Sequence, residues 1–311
     1  MQSPSDSAPV RDVIRIRSSN LGSALLDALL RDRNSRQAAI ARLVGLSNYL
    51  AIATVVSGER AAGRLLIDKT VADRLVKSIR RMGVSCHRAK FYGVEKPDAV
   101  EGTHHRVSFV NGQPKDALAV LYFGINSNFA RAAEWAEFTG NHQVAGSLFG
   151  YPHCCIATFE QSTEDEADRL PTTITHIGPY PRGMNPLTFY VYGVPNLLFH
   201  FACSPHCQRS AALAKSRRIF LESLTGKPRL MTTLGAGIAV YGPELGIGLI
   251  TGYRQIDASE YEILEVTTRQ ALTRMLFANC QRRRIRLYGA HRFRIGRHLY
   301  TGKFTFAAKF Q

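Results

Sequence analysis

The chain has few acidic residues and few cysteines, and each shortage excludes a class of protein. Its 311 residues include 24 Asp and Glu against 40 Lys and Arg, which gives a formal net charge of +16. Six cysteines in a chain of this length are too few for a disulfide framework. Hydrophobic residues make up 45% and charged residues 21%, which excludes a disordered chain. The basic excess favours an anionic partner, such as RNA, a nucleotide or another anionic small molecule.

The sequence also lacks a secretory signal and a clear membrane span. Residues 1–9 are rich in Ser and Pro and have no apolar segment after a basic start. The longest charge-free stretch, residues 183–208, is long enough for a span. Its three prolines, however, do not fit a helix of about 20 predominantly apolar residues. We therefore expect no membrane contact, a disordered tail over residues 1–20, and a soluble cytoplasmic protein whose thiols stay reduced.

The pattern of apolar residues predicts an α+β fold in three parts. Residues 21–140 are predicted to form a mixed α/β domain, in which Asn111-Gly112 marks a hairpin between two strands. Residues 141–226 are predicted to form a helical region with a long loop and four of the six cysteines. Residues 227–311 are predicted to be rich in β-strands and in arginine.

One helix of the first part has both ends marked in the sequence. It is predicted over residues 68–82, with Asp68 or Thr70 as the capping residue. Gly83 stands just past its end, where a glycine commonly terminates a helix.

Four cysteines occur in two motifs that have the pattern of a helix start. The motifs are Gly-Tyr-Pro-His-Cys-Cys at 150–155 and His-Phe-Ala-Cys-Ser-Pro-His-Cys at 200–207. In each, a proline at the first helical position predicts that a cysteine lies in the first turn, where the helix dipole favours thiolate. Both motifs fall within the longest charge-free stretches, 138–159 and 183–208, which predicts that they are buried. Because buried thiolates need a neutralising cation, the sequence predicts a metal or iron–sulfur site between two helix N-termini.

The predicted ligands are Cys155, Cys203 and Cys207, with Cys154 and His200 as further candidates. Adjacent helical residues point about 100° apart, so we expect only one of the vicinal pair to bind, and we favour Cys155. Three cysteines favour a four-iron four-sulfur cluster, with one iron open to substrate or closed by His200. Zinc held by three cysteines and His200 is the alternative ion. A set of plain buried thiols is the alternative to any metal.

Two residues beside the motifs are candidate acid–base groups. Glu160 follows Cys155 by five residues, and Tyr151 precedes Cys154 by three. The alternative interpretation is that Glu160 lies on a solvated helix face and that Tyr151 is a packing aromatic.

The two cysteine motifs resemble those of a family of uncharacterised archaeal and bacterial proteins. The resemblance rests on Gly-Tyr-Pro-x-Cys-Cys at 150–155 and His-x-x-Cys-Ser-x-x-Cys at 200–207, with weaker similarity in the region before them. It implies a shared cysteine site and no particular reaction.

The C-terminal region carries a local excess of positive charge. Residues 266–311 contain 11 Lys and Arg and no Asp or Glu. On strands, the alternation of Arg with Leu, Tyr and Phe places the two kinds on opposite faces of a sheet or interleaves them at a turn. Such a pattern suits RNA, nucleotide or phosphate binding, and the alternative is a solvated sheet face. The candidate anion-binding residues are Arg282, Arg284, Arg286, Arg292 and Arg294.

These observations lead to three hypotheses about function. The first is a metalloenzyme whose iron–sulfur cluster or zinc ion acts on a small anionic or nucleotide-linked substrate. The second is an RNA-binding protein with a structural zinc site. The third is a metal-free enzyme that uses the vicinal thiols for redox or nucleophilic chemistry.

Overall fold

The computed structural model describes residues 15–17, 36–96, 106–112, 114–161, 174–185, 197–225, 236–242, 244–268, 271–278, 284–302 and 305–311. Helices and strands are both abundant, and the C-terminal part is rich in β-structure. The predicted α+β fold class is therefore confirmed. The division of the chain near residues 140 and 226 stays a prediction.

The N-terminal part builds an antiparallel sheet with helices packed against it. After the short strand β1 (Arg15–Arg17), its elements are α1 (Arg36–Val56), β2 (Ala62–Ile67), α2 (Lys69–Arg80), β3 (Ser85–Lys96), β4 (Arg106–Val110), β5 (Leu118–Gly124) and α3 (Ser127–Phe138). The strands lie in the order β2-β5-β3-β4, with neighbours antiparallel. Strand β5 is thus central, and β4 lies at the edge of the described sheet.

The predicted hairpin at Asn111-Gly112 is wrong. Strand β4 pairs with β3, with Tyr92 opposite Val110, while β5 pairs with β2 and β3. All residues of β5 after the first are buried. A buried strand needs partners on both sides for its backbone groups, and β2 and β3 provide them. Tertiary burial therefore overrides the local turn signal.

The helix predicted over residues 68–82 is confirmed as α2. The Asp68 side chain accepts a hydrogen bond from the backbone N–H of Thr70, which identifies Asp68 as the capping residue. Leu75 and Ile79, four residues apart, are fully buried on one face. Gly83 follows the helix end with a positive φ of 83°, which glycine adopts readily.

The central part of the chain contains the two cysteine motifs. Its described elements are α4 (His142–Leu148), α5 (His153–Glu160), a 3-10 turn (Arg182–Met184) and α6 (Gln208–Thr225). Helix α5 packs on α4, and α6 packs on the 3-10 turn. Residues 162–173 and 186–196 of this part lie outside the described residues.

The C-terminal part forms a second, larger sheet. Its elements are β6 (Gly237–Gly242), β7 (Gly246–Gln255), β8 (Glu260–Thr267), α7 (Ala271–Ala278), β9 (Arg284–Gly289), β10 (Arg292–Ile295), β11 (His298–Thr301) and β12 (Phe306–Phe310). Its strands lie in the order β11-β10-β9-β8-β7-β6-β12, and β1 pairs with β8 in parallel. Strand β1 falls within residues 1–20, for which the sequence predicts a disordered tail. The rest of that segment lies outside the described residues.

One hydrophobic core lies between the two sheets. Its buried members include Leu121 and Phe123 from β5 and Tyr241 and Phe306 from the C-terminal sheet. The same cluster contains Cys155 and Cys207, so the cysteine motifs lie where the two halves of the protein meet.

Helix α1 is long and apolar enough, by length and composition, to cross a membrane. Its segment Ala38–Val56 has a mean hydropathy of 1.6, and 56% of the most apolar window is buried inside the protein. Gly45 interrupts its helical backbone with a φ of 76°. This degree of burial is typical of a core helix in a globular domain.

Candidate metal centre

Four cysteine sulfurs form a compact cluster between α5 and α6. Its members are Cys154, Cys155, Cys203 and Cys207, and their sulfur atoms all lie within 4.8 Å of one another. The Cys207 sulfur lies 3.7 Å from that of Cys155 and 3.8 Å from that of Cys154. Cys155 and Cys207 are buried, whereas Cys154 and Cys203 are partly exposed. The cluster is compact enough to bind a metal ion, as the sequence predicts.

The first motif folds as the start of a helix. Gly150 turns the chain with a φ of 70°, and Pro152 is the N-cap of α5. The backbone N–H of Cys155 donates to the carbonyl of Pro152 at 2.8 Å, so both vicinal cysteines lie in the first turn. The predicted placement of the cysteines is confirmed, whereas Pro152 precedes the first helical residue instead of occupying it.

Both members of the vicinal pair lie in the sulfur cluster, although the sequence favours only Cys155 of the two as a ligand. The sulfurs of Cys154 and Cys155 lie 4.0 Å apart, and each lies within 4 Å of the Cys207 sulfur. The two side chains leave the helix in different directions. Cys203 and Cys207 nevertheless lie so close to the first turn of α5 that the sulfurs of Cys154 and Cys155 are both near them.

The second motif starts its helix later than predicted. Pro205 and His206 form a turn, in which the Cys207 N–H donates to the Ser204 carbonyl at 2.9 Å. Helix α6 begins at Gln208, and the Ala211 N–H donates to the carbonyl of Cys207. Cys207 is therefore the N-cap rather than a first-turn residue. Its sulfur still lies at the positive end of the helix dipole.

Burial and hydrogen bonding act in opposite directions on the thiols. Burial raises the pKa of Cys155 to about 11 and raises the pKa of Cys203 further. Burial also acts on Cys207, but hydrogen bonds with Ser210 and with the neighbouring cysteines lower its pKa to about 7. The thiolate of Cys207 is thus the easiest of these three to form. A bound cation would favour the thiolate form of all of them.

His200 does not belong to the sulfur cluster, although it is a predicted ligand. Its Nε2 is hydrogen-bonded at 2.8 Å to the hydroxyl of Ser210, which lies 3.3 Å from the Cys155 sulfur. Its buried Nδ1 has no hydrogen-bond partner among the described residues, so we place the ring proton on Nε2. Burial, reinforced by the charge of Arg217, lowers the pKa of His200 to about 4. The neutral ring thus donates to Ser210, which is free to donate to Cys155.

The two candidate acid–base residues have different surroundings in the structure. The Tyr151 ring lies 5.1 Å from the His200 ring, and burial raises the pKa of Tyr151. Glu160 is exposed at the last residue of α5, whereas the cysteines lie in its first turn. Acid–base roles for both stay predictions.

The predicted arginines lie on the C-terminal sheet. Arg284 and Arg286 belong to β9, and Arg292 and Arg294 belong to β10. Their side chains lie on the face opposite to buried Leu287 and Phe293, as the alternation predicts. The fifth candidate, Arg282, lies outside the described residues.

Sequence reasoning missed two polar groups that support the site. Ser210 is fully buried between Cys155 and His200. Arg217 of α6 is also fully buried and donates to Glu59 at 2.7 Å and to the Leu197 carbonyl at 2.8 Å. The only signal for Ser210 is its spacing of three residues after Cys207, which places both on one side of α6. No sequence signal identifies the pairing of Arg217 with Glu59, because the two residues are far apart in the chain.

A shallow groove opens beside the first turn of α5. It has a volume of about 550 Å³ and is lined by Tyr151, His153 and Arg209 together with apolar residues of α6.

Comparison of the chain with protein-family models, with curated proteins and with solved structures finds no match. The function therefore has to be inferred from the geometry of the site.

Proposed function

We propose that the four clustered cysteines bind one zinc ion in a closed structural site. A tetrahedral zinc ion with zinc–sulfur bonds of about 2.3 Å places its sulfurs about 3.8 Å apart. The three separations measured among Cys154, Cys155 and Cys207 are 4.0, 3.8 and 3.7 Å. This agreement is the observation that carries the proposal.

The same spacing favours zinc over the four-iron four-sulfur cluster that the cysteine motifs predict. In such a cluster each cysteine binds a different iron, and the iron and sulfide ions stand between the cysteine sulfurs. The ligands of a four-iron cluster are therefore further apart than the ligands of a single ion. Sulfurs within 4.8 Å of one another suit a single ion.

The proposed ion would link two segments that lie far apart in the chain. Cys154 and Cys155 come from α5, Cys203 from the segment before α6, and Cys207 from the N-cap of α6. The ion would neutralise thiolates that are otherwise costly in the shared core. Four protein ligands leave no open coordination position, so the ion would supply folding stability rather than substrate activation. The closed site favours the second hypothesis over the first.

Metal analysis of anaerobically purified protein tests the proposal. We expect a colourless protein with one zinc ion per chain and no acid-labile sulfide. Cys155→Ser should bind much less than one zinc ion per chain. Cys86→Ser is the matched control, because Cys86 is buried in the same core but lies outside the cluster. Iron with sulfide would overturn zinc in favour of the cluster, and active protein without metal would favour the thiol enzyme.

The groove beside α5 supports the metalloenzyme as a second candidate. Arg209 and His153 are able to hold an anionic group, and Tyr151 also lines the groove. A small anionic substrate bound there would lie next to the partly exposed Cys154. Thermal-shift titration with phosphate and carboxylate compounds tests this candidate. Stabilisation that disappears in Arg209→Gln supports it, and equal stabilisation in both proteins would contradict it.

A further inference from the structure

A basic sheet face lies apart from the cysteine cluster. It is formed by the outward side chains of β9, β10 and β11. On β9, Arg284, Arg286 and Tyr288 alternate with buried Ile285 and Leu287. Residues two apart on a strand share a face, so these three side chains point the same way.

Strand β10 continues this face. Arg292 and Arg294 alternate with buried Phe293 and Ile295. Arg294 lies directly opposite Arg286 on β9. Directly opposed residues of antiparallel strands share a face, so the arginines of both strands form one surface.

Glu260 of β8 neutralises part of the charge on β9. Its carboxylate lies 2.9 Å from the Arg286 guanidinium and 3.7 Å from that of Arg284. Among the described residues, no acidic side chain forms an ion pair with Arg292 or Arg294. The chain from residue 266 to its last residue contains no Asp or Glu.

Arg286 is paired with Glu260 and also lies 3.9 Å from Asp257. Arg294, directly opposite Arg286, and Arg292 have no acidic partner among the described residues. These two arginines leave an excess of positive charge on the face that a bound polyanion would relieve.

The face also offers apolar and aromatic surface. The Tyr288 side chain is 47% exposed, and the Arg292 guanidinium lies 5.5 Å from the centre of its ring. Leu299 of β11, directly opposite Arg294, is 49% exposed. An exposed ring among arginines suits a ligand with both phosphates and unstacked bases, because bases stack on aromatic rings while arginines hold the backbone.

We propose that the outward face of β9, β10 and β11 binds single-stranded nucleic acid, with Arg292 and Arg294 contacting phosphates and Tyr288 stacking on a base. The surface stands independently of the zinc ion, since none of its residues contributes to the cysteine cluster. RNA and DNA share the phosphates and bases that these side chains recognise, so the experiment includes both.

The test is fluorescence anisotropy with labelled oligouridylate and oligothymidylate over a range of salt concentrations. Wild-type protein should bind with an affinity that falls as salt rises. The double variant Arg292→Glu with Arg294→Glu should bind at least about 10-fold more weakly. Its salt slope should be smaller by about 1.4, since each phosphate contact on a single strand contributes about 0.7. Weaker binding to the deoxy oligonucleotide would identify RNA as the partner, and equal binding would identify single strands in general.

Tyr288 provides a second and separate arm. Tyr288→Ala should weaken binding about 10-fold without changing the salt slope, because stacking involves no counterion release. Tyr288→Phe keeps the ring and should retain wild-type affinity.

The matched control reverses two charges on another surface. Arg74→Glu with Lys77→Glu alters two exposed residues of α2 and changes the net charge by the same amount. Equal loss of binding in this control, or no binding by the wild-type protein, would overturn the proposal. Zinc content and melting temperature are measured on the same samples. Unchanged values show that weaker binding comes from the substituted surface and not from loss of the zinc ion or of the fold. If the charge-reversal variant does not fold, Arg292→Gln with Arg294→Gln replaces it, and Arg74→Gln with Lys77→Gln becomes the matched control.

Discussion

At the scale of single residues, Ser210 decides how the Cys155 sulfur is held. The hydroxyl is buried between this sulfur and the Nε2 of His200. Since the ring nitrogen donates to Ser210, the hydroxyl proton is free to point at sulfur. That direction stabilises a thiolate and orients it toward the other three cysteines.

Ser210→Ala should weaken zinc binding by about 10- to 100-fold, the usual effect of removing a hydrogen-bond partner of a metal ligand. The stoichiometry should remain one ion per chain, because all four cysteines stay in place. Competition with a chromogenic chelator measures the affinity. Ser223→Ala on the same helix is the control, because Ser223 is exposed and its hydroxyl donates to the nearby Phe220 carbonyl, away from the cluster. Equal affinities in both variants would show that the Ser210 contact has no effect on the metal.

His200 should make the protein sensitive to mild acid. Burial and the charge of Arg217 hold its pKa at about 4 in the folded protein, against 6.5 in the unfolded chain. Between these values the unfolded chain binds a proton that the folded protein does not. The free energy of unfolding is therefore unaffected by His200 above about pH 6.5. It falls by up to about 3 kcal/mol as the pH falls from 6.5 toward 4.

His200→Gln removes this titration and keeps a side chain able to bond to Ser210. Its free energy of unfolding should fall less steeply between pH 6.5 and pH 4 than that of the wild-type protein. Urea unfolding at several pH values measures the difference, and acid release of metal affects both proteins alike. Parallel curves would contradict the assignment of the acid sensitivity to His200.

Residue identities predict the cysteine cluster more fully than its surroundings. Cys203 and Cys207 are recognisable from their motif and the absence of nearby charge. The role of Ser210 depends on the direction in which α6 leaves Cys207, and that direction follows from long-range packing. His200 fits a ligand by spacing alone, yet its Nε2 bonds to Ser210.

At the scale of the element, the turn before α5 sets the position of the vicinal cysteines. Gly150 has a φ of 70°, and a Cβ added there would lie 2.9 Å from the Cβ of Arg60. The turn therefore packs directly on the N-terminal part of the chain, and this contact requires the absence of a side chain.

Gly150→Ala should destabilise the protein by more than Gly140→Ala. Gly140 has nearly the same φ, 69°, but no described atom lies within 4 Å of an added Cβ. The control measures the cost of a positive φ, roughly 1 kcal/mol. The excess at Gly150 then measures the contact with Arg60, for which we expect about 1–3 kcal/mol more. Urea unfolding supplies both values, and equal losses would mean that the turn yields to the new side chain.

Elements with local signals at both ends are the ones that the sequence predicts well. Helix α2 has its cap at Asp68 and its stop at Gly83, so its bounds follow from neighbouring residues. The pairing of strands β4 and β5 does not follow from neighbouring residues, because it depends on which strand the core buries. The Asn111-Gly112 turn therefore carries a true local signal but predicts the wrong partner. The predicted start of α6 at Pro205 is wrong for a related reason, because proline fits a turn as well as the first position of a helix.

At the scale of the whole molecule, the two faces of the C-terminal sheet belong to different cores. Ala239 and Tyr241 of β6 face the core that contains Cys155 and Cys207. Ile238 and Val240, which alternate with them, face a second cluster with Phe277 of α7. The charge-free stretches predict that the cysteines are buried. No local pattern predicts that they lie between two sheets, because that arrangement depends on contacts between distant parts of the chain.

Removal of the proposed zinc ion should therefore loosen one core and leave the other intact. Chelation would leave up to four thiols without a cation in the core shared by both sheets, so the ends of α5 and α6 nearest the cluster should lose protection first. Strands β8, β9 and β10 supply much of the second cluster, including Ile263, Ile285 and Phe293, and none of its described members is a cysteine. Hydrogen exchange measured with and without a zinc chelator should show faster exchange near residues 153–157 and 203–211, with little change in β9 and β10. Uniform acceleration across both sheets would show instead that the two cores unfold as one unit. In that case the cysteine cluster would stabilise the whole fold rather than the junction between its halves.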